Sequence, residues 1–203
     1  MRQNGLIFIW LPSAPMPTKR DQVVDTAYAL FTRDGFHATG VDRIIAEAGV
    51  AKMTMYRHFP SKEALIVAVL GVRAARFAAR LDAIIAAPGD PSAKIAAIFD
   101  WHAGWFRRPD FHGCLFARAL AEFGDPGHPV FVAATAQKLD HQRAMQRILG
   151  EIMPDDRAEA TARQLLMLIE GATVLAQAGQ GEAAIRGAAA VAALLVGAAS
   201  ARP

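Results

Sequence analysis

Residues 39–65 have the sequence TGVDRIIAEAGVAKMTMYRHFPSKEAL, which contains the most specific structural pattern in the chain. Its first part, residues 41–48, places apolar residues at helical spacing, and Gly49 then interrupts the pattern. A glycine at that position suits a tight turn, because it adopts unusual backbone angles without strain. A second short helix is predicted from Ala51 to Phe59, where Pro60 ends it. Two short helices joined by a tight turn predict a helix-turn-helix.

Outward from this motif, cap and breaker residues divide the chain into helices. Thr18 and Asp21 predict a capping box at the start of the first helix, and Asp156 and Glu159 predict another later in the chain. No stretch has the alternation that predicts a strand, so we expect an all-α protein of about nine helices. The predicted helices cover residues 18–34, 41–48, 51–59, 61–87, 91–107, 114–123, 129–149, 156–178 and 182–199.

Composition and charge limit the class of protein. The chain has 203 residues, of which 53% are apolar, so it can bury a sizeable core in one or two domains. Residues 1–76 contain ten Lys and Arg against six Asp and Glu, whereas residues 77–203 contain twelve against thirteen. The positive charge therefore lies in the first third, where a polyanion would bind. Cys114 is the only cysteine, which excludes an intramolecular disulfide and is typical of a reducing compartment such as the cytoplasm.

The helix-turn-helix carries a more specific pattern. Residues 48–50 (AGV), Tyr56, residues 58–59 (HF), residues 61–62 (SK) and Leu65 together resemble the DNA-binding signature of the TetR/AcrR family. The resemblance begins near residue 18. It implies an N-terminal DNA-binding head, residues 18–62, and a divergent helical domain that binds a ligand and dimerises, residues 63–203.

The resemblance also implies individual roles. Thr39 matches a position that holds a phosphate, and Tyr56, His58 and Lys62 match positions that hold the DNA backbone. The positions that read bases in the major groove correspond to Ala51, Lys52, Met53 and Thr54. Arg57 suits either kind of contact.

These same residues also have purely structural interpretations. Tyr56 is alternatively a core aromatic, His58 a residue packed under Phe59, and Lys52 and Arg57 a solvated surface. Members of the family often have glycine where this chain has Met53, so the recognised DNA sequence does not carry over.

Aromatic and histidine residues are concentrated between residues 101 and 131, a pattern that suits an apolar pocket with a few polar groups. The alternative is an ordinary helical core. The stretch HGCLF, residues 112–116, and the residues after it also resemble a recurring subgroup of such regulators. The candidate pocket residues are Trp101, Trp105, Phe106, Phe116, Phe123 and Met167.

The last two predicted helices are expected to form the dimer, through a four-helix contact between two copies. The alternative is that their apolar residues belong to the core of one chain. The residues assigned to the dimer face are Leu165, Leu166, Leu168, Ile169, Ala172 and Leu175 on one helix, and Ala188, Val191, Leu194 and Leu195 on the other.

We interpret residues 1–17 as a disordered leader or an upstream translation-start artefact, with a short arm that reaches DNA as the alternative. The apolar run Leu6–Leu11 is too short to cross a membrane, and Pro12 follows it.

No enzyme motif is visible, and the spacing of His, Cys and acidic residues matches no zinc pattern, so we expect neither catalysis, nor a metal, nor a cofactor. Cys114 as a redox sensor is a weaker alternative.

The expected function is a homodimeric repressor that a small-molecule ligand releases from a palindromic operator in double-stranded DNA. Repression is the family default, and some relatives activate transcription. The alternatives are a helix-turn-helix regulator that is constitutive or answers to a protein partner, and a protein that binds DNA without sequence preference.

Overall fold

The computed structural model describes residues 18–200, and their side chains as far as residue 197. Within this range the chain forms helices and no strand, which confirms the predicted all-α fold. The leader proposed for residues 1–17 lies outside the described residues. The helices are α1 (Lys19–Asp34), α2 (Val41–Ala48), α3 (Lys52–His58), α4 (Lys62–Ala86), α5 (Pro91–Phe106), α6 (Leu115–Glu122), α7 (Pro129–Leu149), α8 (Asp155–Gln177) and α9 (Gly181–Ser200).

Side-chain caps fix the starts of several helices. The Thr18 hydroxyl accepts a hydrogen bond from the backbone N–H of Asp21, whose carboxylate accepts from the N–H of Thr18, so the predicted capping box is confirmed. Ser61 caps α4 and Asp90 caps α5. The second predicted capping box is wrong. Helix α8 begins directly after Pro154, which makes no side-chain cap, so the residues of that box already lie inside the helix.

The helices enclose two apolar clusters, and α4 contributes to both. The first cluster joins α1, α2 and α3 to the first half of α4, and it also includes Leu115, Phe116 and Ala119 of α6. The second joins the end of α4 to α5, α7, α8 and α9. Helix α4 therefore connects the helix-turn-helix to the C-terminal helices, and α7 also contributes to both clusters.

Part of the face assigned to dimerisation belongs to the core of one chain, and dimerisation itself stays a prediction. Leu165, Ile169 and Ala172 of α8 and Ala188 of α9 are buried in the second cluster of the same chain. Leu175, Val191 and Leu194 are exposed instead, together with Met167 and Val174. An apolar residue on an amphipathic helix suits a core and an interface equally, so the sequence pattern merged two neighbouring faces.

None of the helices among residues 18–200 is both long enough and apolar enough to span a membrane.

Candidate nucleic-acid interface and ligand cavity

The turn between α2 and α3 has the geometry that its glycine predicts. Gly49 has φ +61° and ψ +40°, the left-handed region that favours glycine. Ile44 of α2 and Met55 of α3 are completely buried beneath the turn. These two anchors fix the rotation of α3, because burying Met55 turns the opposite side of a seven-residue helix toward solvent.

The solvent side of α3 carries most of the predicted DNA contacts. Lys52, Met53, Tyr56 and Arg57 are exposed, and Met53 is 81% exposed although its side chain is apolar. Thr54 is half-buried, and Ala51 is the exposed residue that precedes the helix. A helix this short, projecting a mixed polar and apolar face, fits the width of the DNA major groove.

Cationic groups surround this face. Lys52 Nζ lies 3.2 Å from a carboxylate oxygen of Asp42, in a pair whose side chains are both largely exposed. An exposed pair of this kind contributes little to stability, so Lys52 is available to another anion at little cost. Lys62 is the first residue of α4, and its Nζ lies 3.5 Å from the carbonyl oxygen of His37. It stands beside the free N–H groups of a helix start, which attract phosphate.

His58 is also exposed at the end of α3. Its ring centroid lies 6.2 Å from that of buried Phe59, so it borders the head core without entering it.

Thr39 does not have the position that its expected role requires. Its side chain is completely buried, and its hydroxyl donates a 2.7 Å hydrogen bond to the carbonyl oxygen of Gly35. In this conformation the hydroxyl closes the turn between α1 and α2 and does not reach a phosphate. A sequence motif predicts which residue type stands at a position, whereas the burial of that residue depends on the packing around it.

Sequence reasoning missed the contact between α6 and the helix-turn-helix. Glu122, the last residue of α6, accepts hydrogen bonds from the backbone N–H of Phe36 (3.1 Å) and of His37 (2.7 Å). The Nδ1 atom of His37 lies 2.8 Å from the same carboxylate. Gly35 has φ +94° and leaves room for this carboxylate, since a Cβ there would come within 2.9 Å of it.

The same helix makes a second contact, because Arg118 donates to the carbonyl oxygen of Phe31 at 3.1 Å. The only advance signal for either contact was a pair of charged residues on a short helix.

Replacing Glu122 by glutamine is expected to lower the free energy of unfolding at pH 7 by about 1–2 kcal/mol, since hydrogen bonds to a charged group are the stronger ones. Partial burial raises the pKa of Glu122, but the hydrogen bonds from His37 and Phe36 outweigh it and the pKa is lowered below 4.5. A lowered carboxyl pKa contributes stability above the unfolded value, and this is lost as pH falls through the folded value. Denaturant titrations at several pH values measure the effect.

The difference between wild type and Glu122→Gln should therefore be largest at neutral pH and shrink as the pH falls through the lowered pKa of Glu122. Glu159→Gln is the matched control, because Glu159 is exposed and pairs only with Arg163 on its own helix. A difference that does not change with pH would contradict the assigned role of the carboxylate.

A cavity of about 850 Å³ opens between α1, α4, α5, α7, α8 and the segment that leads into α6. Trp101, Trp105 and Phe116 line it, as predicted. Phe106, Phe123 and Met167 do not line it.

Each of these three residues has another environment. Phe106 packs against the second cluster, and Phe123 stacks against His37 and His128, both with centroid distances of 4.8 Å. Met167 is 66% exposed on the outer face of α8.

Two histidines form part of the cavity wall. His102 Nδ1 lies 2.8 Å from the carbonyl oxygen of Ile98, so this nitrogen carries the proton and Nε2 is left as an acceptor. Burial, assisted by the charges of Lys138 and Arg73, lowers the pKa of His102 to about 4. Burial also lowers the pKa of His141 well below its ordinary value. Both rings are therefore neutral at pH 7.

Three buried polar atoms at this cavity find no hydrogen-bond partner within the described part of the chain. They are Oγ1 of Thr32, Oε1 of Gln137 and Nε2 of His141. Such atoms reduce stability unless a water molecule or a ligand satisfies them, and all three belong to residues that line this one cavity.

Replacing Gln137 by leucine is expected to raise the free energy of unfolding of the ligand-free protein by about 1 kcal/mol, because it removes a buried acceptor that has no donor. Thermal and denaturant unfolding measure this change. Gln146→Leu is the control, because Gln146 is half-buried on the same helix and lies away from the cavity. A clear loss of stability in Gln137→Leu would show that the amide is satisfied in the free protein.

Lys138 lies in the same wall and is partly buried. Its Nζ is 2.6 Å from Glu170 Oε1 and 3.2 Å from Cys114 Sγ. Burial lowers its pKa, but Cys114 and Glu170 outweigh burial and the pKa is raised, so the group is a cation. No group of three or more His, Cys, Asp or Glu side chains within the described residues is arranged to hold a metal ion.

A helix-turn-helix with an exposed cationic second helix, carried on a helical body with a cavity, defines a DNA-binding regulator. Comparison with known proteins identifies the family. A family profile described as bacterial regulatory proteins of the tetR family matches residues 23–69. The crystal structure of a TetR-family transcriptional regulator from Streptomyces coelicolor is 30% identical, with a TM-score of 0.84, over 90% of this chain and 96% of that one. The chain belongs to the TetR family of transcriptional regulators.

Other relatives are also transcriptional regulators with a helix-turn-helix, and they differ in their described effect. The transcriptional repressor ComR of Escherichia coli is 26% identical over 173 residues, which cover 81% of this chain and 82% of that protein. The transcriptional activator FasR of Mycolicibacterium smegmatis is 43% identical over 56 residues. That match covers 28% of this chain and only 26% of FasR, so it concerns a short part of each protein.

Proposed function

We propose that this chain is a homodimeric transcriptional repressor that acts in the cytoplasm, binds a palindromic operator, and leaves it when a small molecule occupies the cavity. Residues 18–62 are the DNA-binding head, and residues 63–203 bind the ligand and form the dimer. The observation that carries this proposal is that one continuous helix, α4, holds Lys62 at the DNA-binding end and Arg73 and Phe77 in the cavity wall.

Dimerisation is supported by the exposed apolar side chains of α8 and α9. Met167, Val174, Leu175, Val191 and Leu194 lie on these two helices and are all more than 40% exposed. Apolar residues grouped in this way mark an interaction surface. A two-fold pair of such faces places two copies of α3 on one side of the dimer, and heads about 34 Å apart read successive major grooves.

Ligand control follows from the position of the cavity. A ligand that favours a different orientation of α4 moves Lys62 and the head, and this changes the spacing of the two α3 helices. A preference of about 1–3 kcal/mol for that state weakens operator binding by about 5–150-fold. Glu122 provides a second connection, because α6 begins at the cavity wall and ends on the head.

Control by a protein partner alone, or no control, is less consistent with the cavity. Its volume of about 850 Å³ is within the range of small-molecule sites.

The test is transcription in vitro from a promoter that carries an operator selected from a random pool of double-stranded DNA. Transcription is expected to fall when the purified protein is added, and to recover when a molecule that binds the cavity is added. A rise on addition of the protein would identify an activator. Repression that no cavity ligand relieves would contradict the ligand-controlled part of the proposal.

A further inference from the structure

We propose that the cavity binds an organic anion with a planar aromatic body and a hydrogen-bonding polar group. This inference deepens the proposed ligand-controlled function and rests on it, because it assigns a chemical class to the effector. Three independent features of the cavity lead to it: its charge, its aromatic wall and its unpartnered polar atoms.

The charge of the cavity is positive. Five cations line it, against three carboxylates, and both buried histidines are neutral. The cations are Arg73, Arg76, Arg80, Arg108 and Lys138. The carboxylates are Asp100, Asp110 and Glu170.

Two of the three carboxylates already form ion pairs with cations of the cavity wall. Asp110 pairs with Arg108 at 2.8 Å, and Glu170 pairs with Lys138 at 2.6 Å. In contrast, Arg73 and Arg80 form no ion pair within the described residues. They lie two turns apart on the same face of α4, where a carboxylate between them would be bound by two guanidinium groups.

The interior wall is aromatic. The ring centroid of Phe77 lies 4.5 Å from that of Trp101 and 4.9 Å from that of His141. The rings of His102 and His141 are nearly parallel, with an interplanar angle of 5°. Rings grouped in this way favour a flat, polarisable guest over a branched aliphatic one.

The polar atoms require a functional group besides the anion. Gln137 Oε1 and His141 Nε2 are buried at the cavity and have no partner among the described residues. An amide oxygen only accepts hydrogen bonds, so the ligand group that satisfies Gln137 is a donor, such as a hydroxyl.

The experiment uses four probes of one shape with the full chain in isothermal titration calorimetry. They are 2-naphthoate, 2-naphthylmethanol, 2-naphthylmethylamine and 6-hydroxy-2-naphthoate. We expect 2-naphthoate to bind at least tenfold more tightly than the alcohol or the amine. We expect 6-hydroxy-2-naphthoate to bind about fivefold more tightly than 2-naphthoate. This gain is a modest fraction of the free energy that satisfying one buried polar group contributes.

Two variants test which residues provide these preferences. Arg73→Gln with Arg80→Gln should remove the preference for 2-naphthoate and leave the affinity for the alcohol unchanged, which also shows that the cavity is intact. Gln137→Leu should remove only the advantage of the hydroxyl group. The matched control is Arg163→Gln with Arg186→Gln, since both residues are exposed and lie outside the cavity.

Equal affinities for anion, alcohol and amine would overturn the inference, as would failure of all four probes to bind or a preference that survives loss of both arginines. Operator binding is measured separately on the same preparation. A protein that binds its operator but does not favour the anion overturns only this inference. A protein that binds 2-naphthoate tightly but selects no DNA sequence overturns the proposed function.

Discussion

Replacing Tyr56 and Lys62 together by alanine should weaken operator binding about a thousandfold. Each head loses two contacts to the DNA backbone, so a dimer loses four, at about 1 kcal/mol each. Tyr56 is exposed at the solvent side of α3, and Lys62 stands at the start of α4 beside free backbone N–H groups. Fluorescence anisotropy with labelled operator, repeated over a range of salt concentrations, measures the loss.

The salt dependence distinguishes lost phosphate contacts from an unfolded head. Loss of one lysine from each head should reduce the slope of log K against log salt concentration by about two. The control replaces Leu139 and Arg143 by alanine, since both are exposed on α7 and neither belongs to the apolar cluster of the head. An equal loss in this control, or wild-type affinity in the test variant, would contradict the assigned interface.

Replacing Val174 and Leu194 by aspartate should separate the dimer and reduce operator binding more than a thousandfold at the same protein concentration. The two side chains are 62% and 72% exposed in one chain, so the change leaves the intramolecular core intact. In a two-fold interface each charge appears twice and is buried without a partner, which is strongly unfavourable. Sedimentation equilibrium measures the mass, and anisotropy measures the affinity for DNA.

Val132→Asp is the control for this variant, because Val132 is 54% exposed on α7 and does not lie on α8 or α9. It should remain a dimer and bind operator normally. A dimer that survives both aspartates would show that the two copies meet through another surface.

Helix boundaries were the most predictable part of the fold, because they depend on local chemistry. Gly49 and Pro60 leave few alternative backbone conformations, and Thr18 with Asp21 satisfies the N–H groups of a helix start without help from distant residues. The start of α8 was the exception. Asp156 and Glu159 suggested a capping box, but the helix already begins at Asp155, directly after Pro154.

The position of side chains in three dimensions was less predictable. Trp105 and Phe106 are adjacent in sequence, yet one lines the cavity and the other packs against the second cluster. Met167 and Ile169 are both apolar and two residues apart on α8, but they face solvent and core respectively. Periodicity identifies an amphipathic helix, whereas the neighbour that each face meets depends on contacts distant in sequence.

The polar features of the site were the least predictable. Glu122 contacts residues more than eighty positions earlier in the chain, and no local pattern indicates such a bond. The family resemblance predicted that Thr39 contacts a phosphate, whereas its hydroxyl is buried and donates to the carbonyl oxygen of Gly35. The unpartnered atoms of Gln137 and His141 became visible only when their surroundings were known.

Selection of bound sequences from a random pool of double-stranded DNA tests whether this chain is a sequence-specific dimeric regulator. We expect enrichment of a palindrome whose two half-sites lie about one helical turn apart, and loss of this enrichment in the Tyr56→Ala, Lys62→Ala variant. No enrichment by a folded dimer, combined with a salt-sensitive affinity that is the same for every sequence, would contradict a sequence-specific regulator.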